Sequence, residues 1–252
     1  MQQYFVEEVE GDGDQLVLSG EDGRHIIKVM RMRVGDEVSI VRNQATAAFY
    51  EITAVDDKAQ LVYVQKKADD KTKRELPIEV TVVLGLLKSD KFDYAVQKLT
   101  ELGVTTIIPW QAARSVVKVD DRNAEKKRTR WQSIAKEAAE QSKRLRIPVI
   151  ARPQDLSMIL SDQPEAGYIY VAYEALAAQA AVQSIELSVE TKQLTFIIGP
   201  EGGITDEEVT LLEAAQEAKG IRFISLGNRI LRAETAAIFA MSLVAGKSEH
   251  II

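Results

Sequence analysis

The sequence predicts an α/β domain built on a mostly parallel sheet, preceded by a smaller all-β domain. Three observations carry this. The first seventy or so residues hold short alternating runs broken by Gly, Asp and Asn, as strands joined by tight turns are. From residue 78 onward, strand-like apolar runs alternate with helical patterns, the rhythm of βα units. Several of those later runs are apolar at nearly every position, as strands buried on both faces are.

Along the chain, "QLVLSG", "EVSIVRN", "AFYEITAV" and "AQLVYVQKK" read as the strands of a small barrel. Between the first two lies "RHIIKVMRMRVGD", which fits a short helix. Ile26, Ile27, Val29, Met30 and Val34 would form its apolar side, with Arg24, Lys28, Arg31 and Arg33 opposite. "KKADDKTKRELP", residues 66–77, lacks apolar residues for most of its length and reads as a linker. The boundary is expected near residue 73, giving domains of 1–73 and 74–252.

"IEVTVVLGLL" then reads as a buried strand. "SDKFDYAVQKLTELG" reads as a helix, with Ser89 or Asp90 as cap, Phe92, Val96, Leu99 and Leu102 on one face, and Gly103 as its end. "VTTIIPW" is a strand. Residues 124–146 are expected to form a long helix with Trp131, Ile134, Ala135, Ala138, Ser142 and Leu145 on one stripe, stopped by Pro148. "GYIYVAYE", "LTFIIGP" and "IRFISLG" are three further strands. Thr205 and Glu208 have the spacing of a capping box, and a last helix is expected over 233–245.

Composition narrows the function. With 46% hydrophobic and 28% charged residues, the 252-residue chain can bury a substantial core. It has no cysteine, which excludes disulfides and thiolate chemistry. Its two histidines, His25 and His250, argue against a histidine metal site or a Ser-His-Asp triad, so no metal is expected. The first residues lack a basic region followed by an apolar stretch, and no apolar run reaches the length of a membrane span. A cytoplasmic protein with no membrane partner is expected. The net charge of −6 is unevenly spread: Arg114 to Arg146 carries +6, leaving −12 on the remainder. Such a stripe suits a polyanion, or forms a solvated helix face.

Two strand-ending loops stand out, "IGPEGGIT" at 198–205 and "SLGNRILRAET" at 225–235. Ligands of open α/β sheets sit beyond the carboxyl ends of strands. Two neighbouring strand ends that both carry glycine would frame a backbone-lined pocket. Neither loop has the G-x-G-x-x-G spacing or the lysine of a phosphate loop, and Glu201 would repel a pyrophosphate. A ligand with a positive centre and a sugar-base part fits better.

In chain order, "QKLTELGV", "AKEAAEQSKR", "IIGPEGGITDEE" and "SLGNRILRAETA" resemble the RsmE-type ribosomal RNA methyltransferases of the SPOUT superfamily. "HIIKVMRMRVGD" and "ARSVVK" are similar to further stretches of that family, whereas 151–190 match poorly outside "YEA". The resemblance implies a PUA-like β-barrel RNA-binding domain followed by a SPOUT-type α/β domain with a trefoil knot, a feature periodicity does not reveal. It implies S-adenosyl-L-methionine as cofactor and methylation of uridine N3 in small-subunit (16S) ribosomal RNA, giving 3-methyluridine. It also implies a homodimer whose partner is ribosomal RNA or the small ribosomal subunit.

Carried over by motif, the cofactor would be held at Gly199, Pro200, Glu201, Gly202, Leu226, Gly227, Ile230 and Leu231, with Glu174 bordering the pocket. Methyl transfer from a sulfonium needs in-line placement above all. Uracil N3 carries a proton, so a base or an anion-stabilising cation is also expected. Arg232 and Glu234 are the candidates. Arg232 would donate to a uracil carbonyl, and Glu234 would accept the proton or fix the arginine; alternatively the pair caps the last helix. Arg24, Lys28, Arg31 and Arg33 would contact RNA phosphates, joined by Arg114, Gln141 and Arg144. His25 reads as structural or as an RNA contact. Two other readings stay open: a SPOUT-like methyltransferase acting on another RNA, and a non-catalytic RNA-binding factor in ribosome assembly.

Overall fold

The computed structural model describes residues 1–6, 13–162, 167–173, 185 and 191–251. The chain divides into two compact units, Met1–Glu75 with Ala139–Arg146, and Leu76–Ala138 with Ile147–Ile252. The stretch 139–146 thus groups with the first unit, whereas the sequence reading places it in the second domain.

The first unit is a five-stranded mixed sheet. Its strands are β1 (Gln2–Val6), β2 (Gln15–Leu18), β3 (Glu37–Arg42), β4 (Thr46–Asp56) and β5 (Leu61–Asp70), in the order β1-β3-β4-β5-β2. β1 runs parallel to β3 and the other pairs are antiparallel. Among the described residues β1 and β2 are the edge strands and do not pair with each other, so the sheet is a half-barrel. Alternating residues such as Val38, Ile40, Tyr50, Ile52, Val62 and Val64 fill its interior.

Two expectations fail in this unit. The run 66–70 is not linker: it continues β5, paired with β4 along a largely exposed strand end whose polar residues hide the pattern. The helix α1 (Gly20–Arg24) passes into a wider π turn at His25–Val29. Ile26 and Ile27 are buried, but Val29, Met30 and Val34 face solvent. The helical register ends where Arg31 takes a positive φ of 54°, a conformation unusual for a side chain other than Asn, Asp or His. His25 shares a hydrogen bond with the Tyr4 hydroxyl at 3.0 Å. Burial pushes the Tyr4 phenol far above its usual range, so it stays protonated.

The second unit has a six-stranded sheet, all parallel. Its elements are β6 (Glu79–Gly85), α2 (Ser89–Glu101), β7 (Thr106–Trp110), α3 (Asp121–Gln141), β8 (Val149–Ile150), α4 (Leu156–Asp162), β9 (Tyr168–Ala172), β10 (Gln193–Ile198), α5 (Asp206–Ala214), α6 (Gln216–Lys219), β11 (Ile221–Ile224) and α7 (Ala233–Ser248). The strand order is β11-β9-β10-β6-β7-β8. One face of the sheet packs on α2, α3 and α7 through Phe92, Trp131 and Met241, among others. The opposite face packs on α4 and α5 through Ile159, Leu160 and Leu212. The result is helix, sheet, helix: three layers around strands apolar on both sides. Complete burial of Phe92 and Phe196 stabilises the fold by roughly 1.5–3 kcal/mol each.

Local signals set the helix ends. Gly103 takes φ 94° just after α2, where a residue with a side chain would be strained. α2 starts at Ser89 with Lys88 in the capping position and no side-chain cap, one residue before the earliest expected cap. α3 stops at Gln141, short of 146, and Lys143 turns to φ 63°.

Candidate active site

Three strand ends converge on one cavity of about 430 Å³, within the range typical of small-molecule sites. Ala172 and Tyr173 contribute to its wall at the end of β9, and Ile198–Glu201 with Gly203 and Ile204 at the end of β10 and in the loop that follows. After β11 the wall is Ser225, Leu226, Gly227 and Arg229–Arg232. Lys91 from the first turn of α2, and Ala233 and Ala236 from α7, complete the lining.

The strands that end in the two glycine-bearing loops are not neighbours, contrary to expectation. β9 lies between β10 and β11, and its end forms part of the wall. Sequence order hides this, because a parallel strand is placed by its crossovers and not by its own pattern.

The loop after β10 is held from outside. Thr205 and Glu208 form the capping box that the spacing predicts, with Thr205 N donating to Glu208 Oε2 at 2.9 Å and Glu208 N donating to Thr205 Oγ1 at 3.2 Å. Glu208 also accepts from Ala113 N at 2.8 Å. The Arg114 guanidinium donates to the carbonyls of Gly202 and Ile204, each at 3.3 Å. A side chain on Gly85, at the end of β6, would run into Pro200, so only glycine permits that close approach.

The expected site residues divide accordingly. Gly199, Pro200, Glu201, Leu226, Gly227, Ile230, Leu231 and Arg232 line the cavity. Gly202 does not; it packs against Arg114, whose Cβ lies 2.8 Å from where a side chain would begin. Glu234 neither lines the cavity nor pairs with Arg232; its ion pair is with Lys91, at 3.8 Å. Arg232 occupies the capping position of α7 but makes no side-chain cap. Glu174 lies outside the described residues.

The residues expected to contact RNA also separate. Arg24, Lys28, Arg31 and Arg33 are all exposed, as is Gln141. Arg144 is buried, 3% exposed, and its guanidinium donates to Glu75 at 2.6 Å, which makes it a structural ion pair and not a free phosphate contact. Arg114 is engaged by the loop after β10. Elsewhere in the basic stripe, Arg128 pairs with Glu125, which the count of +6 already includes, and Arg130 pairs with Asp93 from outside it, which leaves less free positive charge than that count. Lys91, Tyr173, Ser225 and Arg229 also line the cavity, and sequence reasoning does not single them out. Lys91 had one usable signal: it falls in the first turn of a helix that follows a parallel strand, at the ligand-binding edge of such sheets.

Residues 74–245 match the model of an RNA methyltransferase domain, and 18–62 match that of an RNA methyltransferase PUA domain. The chain is 38% identical, over 99% of its length and 98% of the relative's, to the Ribosomal RNA small subunit methyltransferase E of Bacillus subtilis. The chain belongs to the RsmE-type RNA methyltransferase family. Another member, from Rickettsia conorii, is 30% identical over 95% of this chain and 93% of its own. The crystal structure of a Ribosomal RNA small subunit methyltransferase E from Neisseria gonorrhoeae, bound to S-adenosyl methionine, is similar with a TM-score of 0.82 and 27% identity, covering 96% of each chain. Among the described residues no helix is long and apolar enough to cross a membrane, and no group of three or more His, Cys, Asp or Glu is placed to hold a metal ion.

Proposed function

We propose that this protein transfers a methyl group from S-adenosyl-L-methionine to N3 of a uridine in small-subunit (16S) ribosomal RNA, giving 3-methyluridine. The observation that carries the reading is the cavity itself, walled largely by loops at three parallel strand ends, in a chain related throughout its length to ribosomal RNA methyltransferases.

The residues present fit the cofactor. Gly227, at φ 105°, has open space where a side chain would stand, so a ligand can approach its backbone closely. Ile198, Ile204, Leu226, Leu231 and Ala236 give apolar walls for a flat base. Gly199, Pro200, Glu201, Leu226, Gly227, Ile230 and Leu231 would hold it. When bound, the cofactor supplies an electrophilic methyl group on a sulfonium.

The chain's own part is placement and charge. Arg232 stands on the cavity wall, is exposed, and makes no ion pair among the described residues. Its guanidinium is free to donate to a uracil carbonyl and to stabilise the anion left as N3 gives its proton to solvent water, before the nitrogen displaces S-adenosylhomocysteine from the methyl group. The exposed cations Arg24, Arg31 and Arg33, joined by Lys28 once it exchanges Asp57 at 3.1 Å for a phosphate, supply phosphate contacts, so RNA affinity should fall steeply as salt rises; a flat response would remove them from the interface. The reading includes a knotted second domain, a homodimer and a cytoplasmic location.

Mass spectrometry of 16S ribosomal RNA nucleosides tests the proposal. A strain lacking the gene should lose 3-methyluridine and regain it with the wild-type gene. Unchanged 3-methyluridine with a different modified nucleoside missing would point to another RNA target. No heat on titration with S-adenosylmethionine would instead point to a non-catalytic assembly factor.

A further inference from the structure

Lys91 stands where three separate pieces of chain meet. It leaves the first turn of α2. Its ammonium lies 3.3 Å from Glu201 Oε1 on the loop after β10 and 3.8 Å from Glu234 Oε1 on the first turn of α7. Lys91 and Glu201 line the cavity, whereas Glu234 is set back from it. The three side chains are 27%, 24% and 14% exposed, so water screens these charges less than it would a surface pair.

Glu234 adds the second observation. Its Oε2 is buried with no hydrogen-bond partner among the described residues. A carboxylate so placed is costly unless a cation compensates it. Lys91 is that cation, and it is shared with Glu201. Without it, two carboxylates would stand close together at the junction of the loop and α7.

We propose that Lys91 is a positioning residue for methyl transfer: held from behind by Glu234, its ammonium fixes Glu201 at the cavity wall. The loop after β10 and the start of α7 thereby keep the spacing at which cofactor and acceptor base meet. This rests on the assignment of the cavity to S-adenosylmethionine. The side chain that acts directly on the base is Arg232, one residue before α7, and the Lys91 link sets where that residue starts from.

The test compares K91M, K91R, E234Q and the K91M/E234Q double variant with the unaltered protein. Three quantities are read: cofactor affinity by calorimetry, thermal midpoint without ligand, and single-turnover methylation of RNA. K91M should weaken cofactor binding and slow turnover about tenfold each. K91R should recover most of both losses, because it restores the charge. E234Q should cost less in the K91M background than alone, in midpoint and in affinity, because the two residues act as one unit. Wild-type affinity and turnover in K91M would overturn the proposal. So would K91R behaving like K91M with strictly additive effects of E234Q, the signature of simple packing. If the unaltered protein gives no heat with the cofactor, the assignment of the cavity fails and this proposal falls with it; failure of Lys91 alone leaves that isotherm intact.

Discussion

The loops after β10 and β11 wall the same cavity but are held in opposite ways. The first is braced from outside: Arg114 holds two of its carbonyls, Glu208 ties its far end to Ala113, and Gly85 admits Pro200 at close range. The second is braced from within, by Ser225 Oγ donating to the Gly227 carbonyl at 2.9 Å, and its residues 227–230 are exposed. The contrast shows that one pocket can join a wall tied to its neighbours with a wall open to solvent. The braced loop holds its main-chain groups through side chains of other elements, while the open loop leaves the Arg229 and Arg232 side chains exposed on the cavity wall.

Four substitutions probe this contrast. The largest effect is expected from Gly85→Val, which drives a branched side chain into Pro200. It should cost on the order of 3 kcal/mol or prevent folding, seen as a lower urea midpoint; an unchanged midpoint would mean the braced loop can move aside. Arg232→Ala, on the open loop, should lower methylation by about 10²–10³ while leaving cofactor binding and stability near wild type. Wild-type turnover would take Arg232 out of the mechanism. Glu208→Ala removes the acceptor for Thr205 N and Ala113 N and should destabilise by about 1–3 kcal/mol in the same urea titration. The smallest change in stability, within about 0.5 kcal/mol, is expected from Ile230→Ser, since that side chain is 77% exposed. Its cofactor affinity should nevertheless fall, and an affinity equal to wild type would remove Ile230 from the cofactor site.

Much of the fold was legible because its signals are local. The Thr205–Glu208 box, the glycine after α2 and the doubly apolar strands each declare themselves within a few residues. What was not legible depends on distant partners. Lys91 meets Glu201 across 110 residues of sequence, and Arg144 meets Glu75 across 69. In sequence, Arg144 is one more cation in a basic run, and nothing local marks it as buried. The insertion of β9 between β10 and β11 is likewise a property of the crossovers. The cavity-lining glycines could be read from their loops, but which glycine faces the cavity and which faces Arg114 is decided only by packing, as Gly202 shows.

Glu75 closes the first unit by receiving the Arg144 guanidinium and the backbone N–H groups of Leu145 and Arg146, while Gln3 donates to the Arg144 carbonyl. That unit is therefore discontinuous in the chain. During synthesis it stays incomplete until residue 146 has emerged, after a large part of the other unit. A fragment ending at Glu75 would leave that side chain without its guanidinium, so a cut made at the apparent boundary removes a piece of the very module it is meant to isolate.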